Sequence, residues 1–323
     1  MKSSLCKTAF YSTSIAMLLM STLAFANQQN INEVRDVNGN ERITLDVQRG
    51  DVQIRPATSN QFSVSGQLDE RAEGFELDSA GGFTRFIVKM PRQMQDYGNE
   101  KTKGSNLIIN VPAGSEVEFK GVNVDVDVAG INGGSQFTTV NGDIKAKQLT
   151  NNIELTTVNG QIDSESLQGQ LRLKTVNGKI EDKASSGRMS VESVNGTIEV
   201  DSNPEELMVT VVNGEVDLKL DGTAQLAVSS VNGSIEIELK NQNAPRIKGS
   251  SVSGKFELTL ASNLDARVSM KTSAGGSINN TLTADKASRD KYGPASSLQF
   301  TTGNGTGSID ITTVSGRLTL KKD

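Results

Sequence analysis

The chain contains no histidine and no tryptophan, and its single cysteine is Cys6. Serine and cysteine nucleophiles that rely on a histidine base are therefore excluded. Zinc, copper and haem sites built on histidine or cysteine are excluded too, so a resident metal would have to be an oxygen-liganded calcium or magnesium. Aromatics make up only 4% of the residues, which removes the stacking platforms that most sugar and nucleic-acid sites use. No basic run suggests nucleic acid, and the formal net charge is −5.

The first 26 residues read as a secretory signal: Lys2 and Lys7 form the positive start, and Ile15 to Met20 with Leu23 form a short apolar core. Ala24-Phe25-Ala26 then supplies small residues for cleavage, giving a mature start at Asn27. The apolar run is too short and too interrupted for a membrane anchor, and no later stretch approaches a span. Cleavage discards Cys6, so the exported chain must be held by burial and backbone pairing, without disulfides.

What is present is a repeat. Val-Asn-Gly begins at Val140, Val158, Val176, Val194, Val212 and Val231, at intervals of 18, 18, 18, 18 and 19 residues. Variant copies follow at Val252-Ser253-Gly254, Ala274-Gly275-Gly276 and Val314-Ser315-Gly316. Self-similarity of fixed period is the mark of a solenoid, whose units bury their apolar faces only against one another. Two residues after each glycine stands an aliphatic or aromatic side chain: Ile144, Ile162, Ile180, Ile198, Val216, Ile235, then Phe256. Stretches such as Leu171-Arg172-Leu173-Lys174-Thr175 alternate apolar and polar, the strand period.

The sequence thus predicts an all-β chain, a parallel β-solenoid with 18-residue coils stacked about 4.8 Å apart. Right-handed winding is the default for parallel crossovers. The aliphatic positions of a coil, Ile144, Leu149, Ile153, Leu155, Val158 and Ile162, should form its inner columns, and their uneven spacing rejects a hexapeptide left-handed helix. Residues 27–120 read as a divergent β-rich N-terminal cap, 121–323 as the repeat region, and 283–297 as an insertion within it. Pro91 to Asn106 reads as a polar loop.

At the Asn-Gly corners the glycine is expected to supply a positive φ. Asn141, Asn159, Asn177, Asn195, Asn213 and Asn232 are expected to hydrogen-bond one to the next as a structural ladder. A second column places one carboxylate per coil on the outer surface: Asp163, Glu181, Glu199, Asp217, Glu236 and Glu257. Neighbouring charges there should repel by about 1 kcal/mol in water. Two residues on, Lys147, Glu165, Lys183, Asp201, Lys219 and Glu238 alternate in sign and can pair along their own column and across to the acidic one. The acidic column reads first as a solvated face and second as a stripe for calcium or a cationic partner; two adjacent carboxylates offer at most about four of the six to eight oxygens calcium takes.

With these features the chain resembles the bacterial "putative adhesin" domain family of unknown function. The resemblance rests on the signal segment, LIINVPAGSEVEFKG (Leu107–Gly121), the TVNGxI coils and the closing GTGSIDITTVSGRLTL (Gly305–Leu320). It implies a binding role at the cell envelope and carries no catalytic residue across. The expectation is an exported, non-catalytic scaffold of the periplasm, cell surface or medium, with no cofactor and an envelope or surface protein or glycan as partner. The alternative is a polysaccharide-cleaving β-solenoid enzyme using Asp285, Lys286, Arg289, Asp290 and Tyr292 of the insertion. Ice binding by threonine rows is a third class; Thr138, Thr156 and Thr210 begin such a row, but Lys174 and Glu192 break it.

Overall fold

The structure is a computed structural model that describes residues 28–91 and 102–323. The signal segment and most of the Pro91–Asn106 loop lie outside the described residues. The fold is all-β.

The chain enters through β1 (Asn30–Asp36), β2 (Arg42–Pro56) and β3 (Gln61–Gln67). It continues through β4 (Gly74–Ala80), β5 (Phe83–Lys89), β6 (Ser105–Val111) and β7 (Glu116–Ala129). Long β2 lies between two parallel neighbours. Its two halves pair with β5 and β6 on one side, and its whole length pairs with β7 on the other. The outer rim is antiparallel, with β4 on β5 and β3 on β6, and with β1 beyond β3.

From there the pairing follows the repeat. Strands β8 (Ser135–Thr138), β10 (Thr150–Asn159), β12 (Gln168–Asn177) and β14 (Ser186–Asn195) pair in parallel, each with the next. Between them in sequence run the short strands β9 (Ile144–Lys147), β11 (Ile162–Glu165), β13 (Ile180–Lys183) and β15 (Ile198–Ser202), which pair with one another. The register joins residues 18 apart, such as Ile162 with Ile180 and Leu155 with Leu173. In β16 (Glu206–Asp221), β17 (Gln225–Lys240) and β18 (Arg246–Leu260) long and short segments fuse into single strands. The offset there grows from 19 residues (Glu206 to Gln225) to 21 (Gln225 to Arg246).

The C-terminal end departs from sequence order. After β19 (Ala266–Thr272), β20 (Ser277–Asn280), β21 (Ser288–Arg289) and β22 (Ser296–Thr301), the chain returns as β23 (Gly307–Thr313) and β24 (Arg317–Lys322). This last pair inserts between β18 on one side and β19 with β20 on the other. The motif copies at Gly254, Gly276 and Gly316 therefore stack in the order 254, 316, 276. Antiparallel β22 covers the outer edge of β19. An edge covered by an antiparallel strand cannot template another chain's parallel stack.

One apolar cluster runs the length of the stack, with Ile144, Ile162, Ile180 and Ile198 and the paired columns at Ile153 and Leu155 all buried. The valine column is the exception. Alternation from Leu155 brings Thr157 inward and turns Val158 away, and Val140, Val194, Val231 and Val252 are 37–45% exposed. Buried in place of the valines are Thr139, Thr157, Thr175 and Ser193. The reason is the turn that follows: Thr157 and Thr175 each donate to the carbonyl of the preceding coil's corner glycine, Gly142 and Gly160. Valine has no donor for that carbonyl.

The corner glycines meet the expectation only in part: Gly178, Gly214 and Gly254 have a positive φ. Gly142, Gly160, Gly196 and Gly233 lack a left-handed φ, yet a Cβ on each would lie 1.8–2.1 Å from a backbone carbonyl oxygen of the coil before. Close approach of backbones is what requires glycine here. The left-handed corner sits instead at Gln148, Ser166 and Ala184, with φ of 53–57°.

Candidate functional site

The asparagines stand at an exposed corner. Asn159 Nδ2 donates to Asn141 Oδ1 at 2.8 Å, and Asn177 donates to Asn159 at 2.8 Å. Asn195, Asn213 and Asn232 continue at 3.1, 3.1 and 3.4 Å. The row is longer than its motif. Asn141 donates to Asn123 at 2.7 Å, and Ser253 donates to Asn232 at the far end. Asn123 lies 18 residues before Asn141, but valine replaces the glycine after it, which hid it from a motif search. Each amide is used within the row, so the column offers a ligand little unsatisfied polarity.

The acidic column is laced with lysine. Lys179 Nζ lies 2.7 Å from both Glu181 and Glu199, and Lys183 Nζ lies 2.5 Å from Glu181. The two ammonium groups beside Glu181 hold its carboxyl down at about 2. Asp163 accepts from Gln161 at 2.6 Å, and Asp217 and Glu236 are exposed. Glu257 departs from the solvated-face expectation: it is 4% exposed, clasped by Lys255 at 2.7 Å and by Lys321 of β24. Both lysines lower its carboxyl. The mutual repulsion expected of this column is thus offset by cations at Glu181, Glu199 and Glu257. In the neighbouring column, Lys147 pairs with Glu165 at 2.8 Å. A shallow hollow of 180 Å³ lies between Glu181, Lys183, Glu199, Asp201, Asp217 and Lys219. Among the described residues no group of three or more carboxylates is placed to hold a metal ion.

Sequence reasoning missed a buried charge. Asp182, fully buried, turns inward in the column of Ala146, Ser164 and Val200. Ser164 and Ser185 donate to its Oδ1 at 2.5 and 2.7 Å, and Ser202 donates to its Oδ2 at 2.6 Å. Burial pushes the carboxyl up, and the three hydroxyls only partly oppose this. The signal was present in sequence: alternation from Ile180 sends Asp182 inward, and serines replace aliphatics at 164 and 185.

The insertion assembles no cleft. Asp285, Lys286, Arg289, Asp290 and Tyr292 are all exposed, Tyr292 by 89%, with Lys291 stacked over its ring at 5.2 Å. A larger groove, of 450 Å³, lies on the long-strand face among Asn152, Gln170, Leu171, Arg172, Arg188 and Met189.

The chain is all-β, its strands pair along its own sequence period, and the corner asparagines bond from one repeat to the next. The chain belongs to the Toastrack DUF4097 family, whose model matches residues 40–263. Comparison with curated proteins gives no match. Among solved structures it is similar to a "putative cell adhesion protein" from Clostridium sporogenes, at 11% identity over 91% of this chain and 100% of that one, TM-score 0.21. It is also similar to a "putative adhesin" from Bacteroides fragilis (12% identity, 92% and 99% covered, TM-score 0.38). A "putative adhesin" from Parabacteroides merdae gives 10% identity, 91% and 96% covered, and a TM-score of 0.38. No helix among the described residues is long and apolar enough to cross a membrane.

Proposed function

We propose that this chain is an exported, non-catalytic scaffold of the bacterial cell envelope: a right-handed β-solenoid of 18-residue coils that presents flat side-chain columns to a surface protein or glycan. Residues 27–120 serve as its cap, 121–323 as the coil region, and 283–297 as an insertion on the outside. The observation that carries this reading is the unbroken one-coil register from Asn123 to Ser253, which uses polar corner groups on neighbouring coils. A stack from β5 and β6 to β19 and β20 at about 4.8 Å per layer makes a rod about 50 Å long. Such a rod suits adhesion or spacing better than enclosure of a substrate. The descriptions of its structural relatives agree with an adhesive role.

Three measurements test the reading. N-terminal sequencing of the exported protein should begin at Asn27; a folded protein retaining Met1 would refute export. A pull-down from the envelope fraction with the exported protein should retain an envelope protein or glycan. Glycan cleavage that is lost on Asp285→Asn with Asp290→Asn would replace the scaffold with an enzyme.

A further inference from the structure

The outward face of β8, β10, β12, β14, β16, β17 and β18, extended by β7, carries exposed Val140, Val194, Val231, Val252 and Met208. Its columns are fixed by the strand register, so the residues that would meet a second copy can be worked out. An isologous pair whose two-fold axis lies in the interface and parallel to the strands sets coils in opposite order while columns coincide.

We propose that two copies of this chain pair through this face, antiparallel, with the axis between the coil of Lys174 and the coil of Glu192. Lys174 then faces Glu192 of the second copy. Glu118 faces Lys248, and Glu116 faces Arg246. Each of these pairs forms twice. The other charged residues meet neutral ones: Lys120 opposite Ser250, Glu154 opposite Met208, Arg172 opposite Ser190, Arg188 opposite Gln170 and Glu206 opposite Asn152. No like charges oppose one another. Valines meet valines throughout, Val176 against Val194 and Val158 against Val212.

The register is specific. Moving the axis by half a coil sets Lys174 opposite itself in one direction and Glu192 opposite itself in the other, and like charges across an interface are costly. Within one copy Lys174 already pairs with Glu192 at 3.4 Å, so pairing closes a four-membered charge cluster at the centre of the face. Eight coils at about 4.8 Å and four outward columns spanning about 20 Å give about 760 Å² per copy. The total of about 1,500 Å² lies within the size of specific, stable interfaces. This assignment goes beyond the scaffold reading and does not depend on the scaffold's partner.

Mass measured by light scattering and sedimentation across a concentration series tests it. The purified protein should show twice the chain mass, dissociating on dilution. Lys174→Glu should weaken the pair by at least about tenfold, as should Glu192→Lys, and the two changes combined should restore it. In a Cys6→Ser background, Val176→Cys and Val194→Cys proteins should form a disulfide when mixed but not alone. A single chain mass at every concentration would overturn the proposal. So would a dimer indifferent to Lys174→Glu, or a Val194→Cys protein that crosslinks to itself.

Discussion

Two carboxylates side by side in sequence show how environment decides what a residue does. Glu181 points out between Lys179 and Lys183, whose charges lower its carboxyl from 4.5 to about 2. Its contribution to stability is present above the unfolded value of 4.5 and is lost as pH falls from there to about 2. Its pairs are near the surface, so Glu181→Ala should cost no more than about 1 kcal/mol at neutral pH. Urea melts should show that cost vanishing towards pH 2 and shrinking in high salt. Asp182 points in, and its carboxyl is raised above 3.8 by burial. Between 3.8 and the folded value the unfolded chain gives up this proton more readily, so the fold loses stability as pH rises through that window. Among the described residues no cation pairs with this carboxyl; Ser164, Ser185 and Ser202 donate to it. Asp182→Asn should therefore stabilise by about 1–3 kcal/mol at neutral pH. The gain should disappear at pH 3 and below; a variant less stable at neutral pH would show that the hydroxyls fully support the ionised form.

Within a coil, the inner columns and the corner row contribute unequally. Ile180 is fully buried, and Ile180→Ala should cost about 2–5 kcal/mol. Asn177 is exposed and holds one bond to each neighbour, so Asn177→Ala should cost about 0.5–1.5 kcal/mol per bond's net worth. Because Asn123 continues the row beneath it, Asn141 is no terminus, and Asn141→Ala should match Asn177→Ala in denaturant melts. A markedly smaller loss at Asn141 would mean that the bond to Asn123 contributes nothing. The inward-facing set was legible wherever aliphatics marked it, as at Ile144, Ile153 and Leu155. At Thr157 and Val158 hydrophobicity pointed one way and alternation the other, and the hydrogen bond to the carbonyl of Gly142 goes with the threonine.

At the scale of the molecule, both ends depart from sequence order in the same manner. Early β2 lies inside later β5 and β6, and final β23 and β24 lie inside earlier β19 and β20. A strand held on both sides ties the end layers to the body. Removing Gly305–Asp323 should leave β18 and β19 without partners along their facing edges and strip Lys321 from buried Glu257. The truncated chain should lose its single cooperative melt, and proteolysis should cut first beyond Leu260. A truncated chain melting like the whole one would show that the inserted strands are accessory.

From Asn123 to Ser253, the strand period, the parallel pairing and the register follow from sequence alone. When like residues recur every 18 positions, only one alignment keeps the columns of Ile144, Ile153 and Leu155 inside, because a one-residue slip would turn each of them to solvent. The ends escaped that logic. There the repeat fades, and which strand sits next to which is decided by how the last open edges are covered, a long-range choice with no local signature. The second bond of Lys179, to Glu199, and the serine cage of Asp182 were likewise settled only in three dimensions. Each brings in side chains from neighbouring coils, and sequence could give their spacing but not which of them would meet.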